Sequence, residues 1–371
     1  MSPPNISPGR TGAAVVLLGA ALSLVGTTWD IQWHVDVGPD TFFTLPHLLL
    51  YSGSAVSGIA SLVIVIAATA ATRAGRTVGP EAGGRPVRVF GTFSAPLGFL
   101  VSGVGSASFL IFGLVDLWWH SIYGFDAVLD SPPHIALFTS ISITMVGAVV
   151  ICGSARATRW GRTGLLISLP ILMLYSPITT NAFNALRLPF DAASAGMVLF
   201  VVMLLVLGRA TLARTGAATA FAAVLGAMQL ALWWFAPWAA RTYADAVGLP
   251  LRDDVGGRPP QVPASIPMFL LAGAVLIDLA VWLGARNHWS ARWVPQVAGA
   301  VSGLLIAATF MLQELLISTR PAPVAGQFVV ETLIGGAFGA FAGFLGWRFA
   351  GVLRGEQPPA AAPVLRIQEA Y

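Results

Sequence analysis

Two stretches of this 371-residue chain repeat one pattern of chemically active side chains: Asp30, Trp33, His34, Gly38, Asp40, Pro46 and His47, then Asp116, Trp119, His120, Gly124, Asp126, Pro133 and His134. They hold four of the five histidines and six of the sixteen carboxylates, namely Asp30, Asp36, Asp40, Asp116, Asp126 and Asp130. Residues four apart on a helix share a face, about 6 Å apart at Cβ. Asp30 with His34, and Asp116 with His120, therefore each offer two arms of a chelate. The third arm is His47 or His134, and the thirteen or fourteen residues that precede it would span about 20 Å as straight helix, too far to share a metal ion. Gly38-Pro39-Asp40 and Asp130-Ser131-Pro132-Pro133 break the helix, however. The chain turns and re-enters, placing His47 and His134 in the first turns of returning helices, so each hairpin can close an Asp/His/His set. Two imidazoles and a carboxylate with open positions suit a catalytic transition metal such as copper, iron or zinc rather than a closed structural site. The C-terminal end of the outgoing helix adds negative potential that favours a cation. Asp40 and Asp126, each six residues after a histidine, read as groups that orient the ligands or cap helices. Tyr51 and Tyr123 are weaker candidates.

The elements that carry these residues follow from composition. Hydrophobic residues make up 56% of the chain and charged residues 10%, and the mean hydropathy is +0.78, which excludes an ordinary soluble globular protein. Crossing a ~30 Å hydrocarbon layer takes about 20 helical residues, and ten apolar runs approach that length. They are Thr11 to Thr28, Leu45 to Thr72, Leu97 to Trp119, Pro133 to Ala155, Thr163 to Ser176, Ala192 to Leu207, Ala217 to Ala239, Ile266 to Gly284, Pro295 to Ile317 and Phe328 to Trp347. The expected fold is all-α, a polytopic transmembrane helical bundle in contact with the lipid bilayer. All twenty cationic side chains are arginines, and with the N-terminus inside, fifteen fall on the inner side, leaving Arg187, Arg241, Arg252, Arg258 and Arg320 outside. By the positive-inside rule both termini are cytoplasmic, the membrane is the inner membrane, and the two patterned turns lie toward its outer face. The isoelectric point near 9.8 then reflects loop anchors, and no nucleic-acid partner is needed. A cleaved signal peptide is rejected, because cleavage would separate Asp30 and His34 from their helix. The single Cys152 excludes an internal disulfide and any Cys-rich zinc or iron–sulfur site.

The two patterns lie 86 residues apart, from Asp30 to Asp116, an internal duplication of a helical hairpin. Residues 1–160 are read as two such hairpins, joined on the inner face by the basic, Gly-rich segment Arg73 to Arg88. Residues 161–355 are read as a second bundle of about six spans, and residues 356–371, rich in Pro and Ala, as a disordered tail. In the second bundle Gly335, Gly339 and Gly343 form a small-residue stripe, read as packing within the bundle in preference to a dimer contact. Asp278, Gln229, Gln313, Glu314 and Glu331 lie in or near spans, where carboxylates are functional candidates. Arg241 to Pro263 reads as an irregular surface loop. Trp29, Trp33, Trp118 and Trp119 suit an interfacial aromatic belt, and His288 a solvated inner loop.

The segment Asp30-Ile-Gln-Trp33-His34, followed by Asp40-Thr41, Phe43-Thr44 and His47, resembles the copper-ligand motif D-x3-H-x12-H of the C subunit of the particulate methane and ammonia monooxygenases. The second segment, D-x3-H-x13-H with Trp118 and Pro132, resembles the same family's second metal motif, in which Asn is common at the place of Asp116. The resemblance covers residues 10 to 160 and does not extend to the family's soluble copper-binding subunit. It implies that Asp30, His34 and His47 hold one copper ion and that Asp116, His120 and His134 hold a second or alternative one, in preference to zinc or iron. It also implies assembly with other membrane subunits, for which the six extra spans of this one chain could substitute; a homo-oligomer is the other assembly expected. The function expected is copper-dependent hydroxylation of a small apolar substrate by O2. A copper carrier or assembly protein without turnover, and a b-type haem electron-transfer protein, are the alternatives, and the Pro and Gly residues between the histidines argue against haem.

Overall fold

The computed structural model describes residues 8–38, 40–124, 131–253, 255, 258–317 and 323–356. The helices are α1 (Pro8–Asp36), α2 (Leu45–Arg73), α3 (Leu97–Tyr123), α4 (Pro132–Ser154), α5 (Arg159–Leu174), α6 (Ser176–Asn181), α7 (Ala192–Leu212), α8 (Ala217–Val247), α9 (Gln261–Ala264), α10 (Leu270–Arg286), α11 (Val294–Ile317) and α12 (Ala325–Arg354). Among the described residues nine helices are long and apolar enough to cross a membrane. The eighth expected span is α10, whose 17 residues reach only about 25 Å at 1.5 Å per residue; it packs between α8 and α11. Several other helices overrun the apolar runs that announced them. Helix α1 continues past Thr28 to Asp36 and α8 past Ala239 to Val247, so Asp30, His34 and Arg241 all sit on helical backbone.

The duplication is visible in the packing of the hairpins. A methyl group on Gly19 of α1 would overlap the Gly53 carbonyl and Ser57 of α2. One on Gly105 of α3 would overlap the Ser140 carbonyl and Thr144 of α4. Gly19 and Gly105 are 86 residues apart, whereas Gly53 and Ser140, like Ser57 and Thr144, are 87 apart. Each copy thus uses the same small-residue seam, and the extra residue of the second copy falls between His120 and His134. The hairpins dock through Gly58 against Ser106 and Gly103 against Ser61, and α1 also touches α4, so α1 to α4 form a ring.

The linker between the hairpins is more ordered than its glycine content implies. A single 3-10 turn, Pro80–Ala82, leads into an antiparallel pair, β1 (Pro86–Val89) and β2 (Phe93–Pro96), closed by a turn with Phe90 and Gly91 at positive φ. Gly9 lies against Ala82, Gly84 against Ser154, and Arg156 donates to the Leu353 and Arg354 carbonyls. The start of α1, this linker and the end of α12 therefore share one end of the bundle.

The two halves share one core, which runs from Leu24, Phe109 and Ile141 through Leu169 and Val201 to Phe221 and Ile277. Trp29 and Trp33 are buried as well, not spread in an aromatic belt, Trp29 in a separate small cluster with Ala239 and Ala240 of α8: Trp29 meets Phe235 and Tyr243 edge-on, and Trp33 lies 5.0 Å from Tyr243. Trp118 is 58% exposed, as a belt residue would be. Gly335, Gly339 and Gly343 pack directly on Pro295, Gly299 and Gly303 of α11, so the glycine stripe is spent inside the chain.

Candidate metal centre

Each hairpin brings its three expected ligands together. In the first, Asp30 Oδ1 lies 3.7 Å from His34 Nε2 and 3.2 Å from His47 Nε2. In the second, Asp116 Oδ2 lies 3.3 Å from His120 Nε2, and Asp116 Oδ1 lies 3.8 Å from His134 Nε2. Two ligands about 2.0 to 2.1 Å from one metal stand about 3.3 Å apart at the tetrahedral angle, so both sets have the spacing of a coordination sphere. Among the described residues these two sets, the first with Asp40 added, are the groupings of ligand atoms close enough to hold a metal ion.

The local fold explains why the Nε2 atoms converge. Gly124, at φ 84°, turns the chain so that its carbonyl lies 2.9 Å from His120 Nδ1. Gly38, at φ 136°, occupies the equivalent place after His34 and lets the first turn double back. There the Thr41 carbonyl lies 3.1 Å from His47 Nδ1. A carbonyl only accepts, so both Nδ1 atoms carry the proton. The Nε2 of a neutral ring then presents a lone pair, and in each set that lone pair faces a carboxylate oxygen. Asp30 Oδ1 and Asp116 Oδ1 are shut off from solvent and accept no hydrogen bond of good geometry. Lone pairs opposed in a dry site require a positive charge between them, a proton or a metal cation. Ser131, at the N-cap of α4, does not cap; its hydroxyl lies 2.8 Å from His134 Nδ1 and holds that ring instead.

Asp40 combines the two roles open to it. Its Oδ2 accepts from the Thr44 hydroxyl at 2.6 Å and lies 3.4 Å from His47 Nδ1, while its Oδ1 faces His34 Nε2 at 3.9 Å. It thus orients the returning helix and stands within reach as a fourth ligand. Burial pushes its carboxyl above the ordinary carboxylate range, against the pull of His47. Asp126, its counterpart in the second copy, and Asp130 lie outside the described residues.

The spacing alone does not reveal that the two sets face a single cavity. A space of about 50 Å³ is lined by all seven ligand candidates, Asp30, His34, Asp40, His47, Asp116, His120 and His134, and walled by Leu50, Phe109, Leu137 and Ile141. His134 is close enough to Asp30 to act on it electrostatically. Tyr51 stands between the sets, 5.8 Å from the His47 ring and within electrostatic reach of Asp116, Asp30 and Asp40. The internal sign of this arrangement is the pairing of the two motifs with one docking seam, since Gly58 and Gly103 join α2 to α3. Tyr123 does not join the cavity and packs on Trp119 at 4.4 Å.

The other polar residues expected in the membrane have structural partners. Asp278 lies 2.8 Å from Arg209 Nε and accepts from the Thr219 amide and hydroxyl. Gln229 and Gln313 donate to carbonyls of the turn around α9, including the Ile266 carbonyl common to both. Glu331 accepts from the Asp191 amide. Arg241 belongs to α8, not a loop, and pairs with Asp36 at 3.2 Å; the Arg252 amide donates to the Asp36 carbonyl. The segment after α8 is thereby pinned to the end of α1 beside the first ligand set. Asp254, Gly256 and Gly257 lie outside the described residues. No family model matches this chain, and no curated protein or solved structure matches it either.

Proposed function

We propose that this chain is a copper-dependent membrane oxygenase that hydroxylates a small apolar substrate with O2, as its resemblance to the C subunit of the particulate methane and ammonia monooxygenases implies. The observation that carries the reading is the convergence of two Asp/His/His sets, each with open positions, on one small, largely buried cavity. Asp30, His34 and His47, or Asp116, His120 and His134, would hold the copper, which would supply O2 activation there. The chain's own residues supply the rest. The Thr41 and Gly124 carbonyls and Ser131 fix the rings so that Nε2 points inward, which is how groups behind a ligand tune its basicity and orientation. Asp30 and Asp116 balance the cation's charge. Leu50, Phe109, Leu137 and Ile141 exclude bulk water and so limit wasteful oxidation. Hydroxylation with O2 also consumes two electrons and two protons, which an external reductant provides.

In a b-type haem site the histidine Nε2 atoms would face the iron, whereas here they face Asp carboxylate oxygens 3.2 to 3.8 Å away, which argues against that alternative. The ligand set itself favours one second reading: two histidines and a carboxylate with open positions is also the set of non-haem iron oxygenases. Metal analysis of the purified protein after copper loading, with His34→Ala and His120→Ala measured separately, decides between them. The expected result is bound copper in the parent chain and a partial loss in each variant. Iron in place of copper favours the second reading, and no bound transition metal overturns both. The multi-pass chain contacts lipid; its place in the inner membrane, with the metal sites toward the outer face, belongs to the same proposal, as does assembly with other membrane subunits or with itself.

A further inference from the structure

A second, larger space adjoins the metal cavity. About 300 Å³ lie between α1, α4, α6 and α9, and Phe138 lines both this cleft and the metal cavity. The cleft runs close behind the ligands: Ile31 follows Asp30, Ile135 follows His134, and the Phe138 ring stacks on the His134 ring at 6.2 Å and 19°. It opens on the flank of the bundle, where Ile135 is 46% exposed and Thr139 is also exposed. Apolar walls come from Ile31, Phe138, Ile178 and Val262.

The hydroxyls of Thr139, Ser142, Thr179 and Ser265 each donate to a carbonyl four residues back, Ile135, Phe138, Tyr175 and Gln261 respectively. A hydroxyl has one proton and two lone pairs. With those protons spent on the helices, the hydroxyl oxygens of these four lining residues are acceptors, and the side-chain amides of Asn181 and Gln261 add both donors and acceptors to the lining. A molecule that suits it has an aliphatic body and one O–H or N–H donor, and 300 Å³ is at the small end of ligand sites.

We infer that this cleft is the binding site of the small aliphatic alcohol that hydroxylation at the metal centre releases, with Phe138 as the wall the alcohol passes and Thr139 at its mouth toward the lipid. The inference rests on the oxygenase reading for the source of the alcohol, but the site is testable without metal. A short aliphatic alcohol carrying an alkyl diazirine, photolysed with the full-length metal-free chain in lipid nanodiscs, is expected to label α4 near Phe138 and Thr139 and α6 near Ile178. n-Hexanol is expected to compete about tenfold better than n-hexane, the worth of one or two hydrogen bonds. Thr139→Trp, a change at an exposed position, is expected to abolish labelling while metal binding stays intact, and Ser142→Ala with Ser265→Ala to reduce the preference for the alcohol. Labelling spread evenly over the lipid-facing helices, or equal competition by the alkane, overturns the inference even if copper binds. Specific labelling in a chain that binds no copper or iron sustains the alcohol site and refutes the oxygenase reading.

Discussion

The two hairpins carry the same chemistry in unlike surroundings. Helix α1 lies in the middle of the molecule, its Trp29 and Trp33 packed on α8 and its end pinned by Arg241 and the Arg252 amide. Helix α3 lies at the edge, with Ile111, Leu114, Trp118 and Ile122 exposed along its outer face. Among the described residues the first set counts two carboxylates and the second one, and Asp126, the counterpart of Asp40, lies outside them. The comparison teaches that the repeated sequence repeats the ligand geometry while the packing around each set differs.

The harshest way to break that comparison is to remove one ligand from each copy. His47→Ala with His134→Ala should eliminate bound metal, while each single variant should keep the other copy's ion, as read by metal analysis and paramagnetic resonance. Loss of all metal from one single variant would show that the cavity holds a shared centre and not two. Next in size is the packing difference. Trp33→Ala removes a ring that is 1% exposed and should cost about 3 to 5 kcal/mol of stability, whereas Trp118→Ala should stay within about 0.5 kcal/mol; unfolding in mixed detergent measures both. If the tryptophans proved equal, the edge position assigned to α3 would be wrong.

The seams should respond alike. Gly19→Ala and Gly105→Ala each force a methyl into backbone of the facing helix and should cost about 1 to 3 kcal/mol, each with metal loss confined to its own copy. The gentlest test is Ser131→Ala, which frees His134 Nδ1 and should weaken the second site's metal affinity by about 10- to 100-fold without touching the first. A matched loss at both sites would mean that the two sets are strongly coupled through the cavity.

Much of the site was legible in the sequence because helix spacing and Gly/Pro breaks are local. Asp30 with His34, the turn at Gly38 and the return at His47 need no knowledge of the rest of the fold. The glycine seam in α12 was legible for the same reason. What escaped is set by docking. In a bilayer both the lipid-facing and the core-facing sides of a helix are apolar, so hydrophobic periodicity does not report which side is buried. Phe99 is fully buried and Leu114 is 64% exposed on the same α3, with nothing in their types to separate them. The burial of Trp29 and Trp33 was missed on that account, and so was the meeting of the two ligand sets. The β1–β2 pair was hidden by its shortness and by the glycines around it. Asp278 and Gln313 drew notice as rare intramembrane groups, but their partners are 59 and 45 or more residues away.

The single extra residue between His120 and His134 bears on how such ligand sets can vary. The seams hold their register on both sides of it, so an insertion between the second and third ligands is absorbed without repacking a helix. That short stretch is where chain length can change while the scaffold stays constant. A chelate loop of adjustable length on an unaltered frame lets one hairpin be re-sized for a different ion independently of the other.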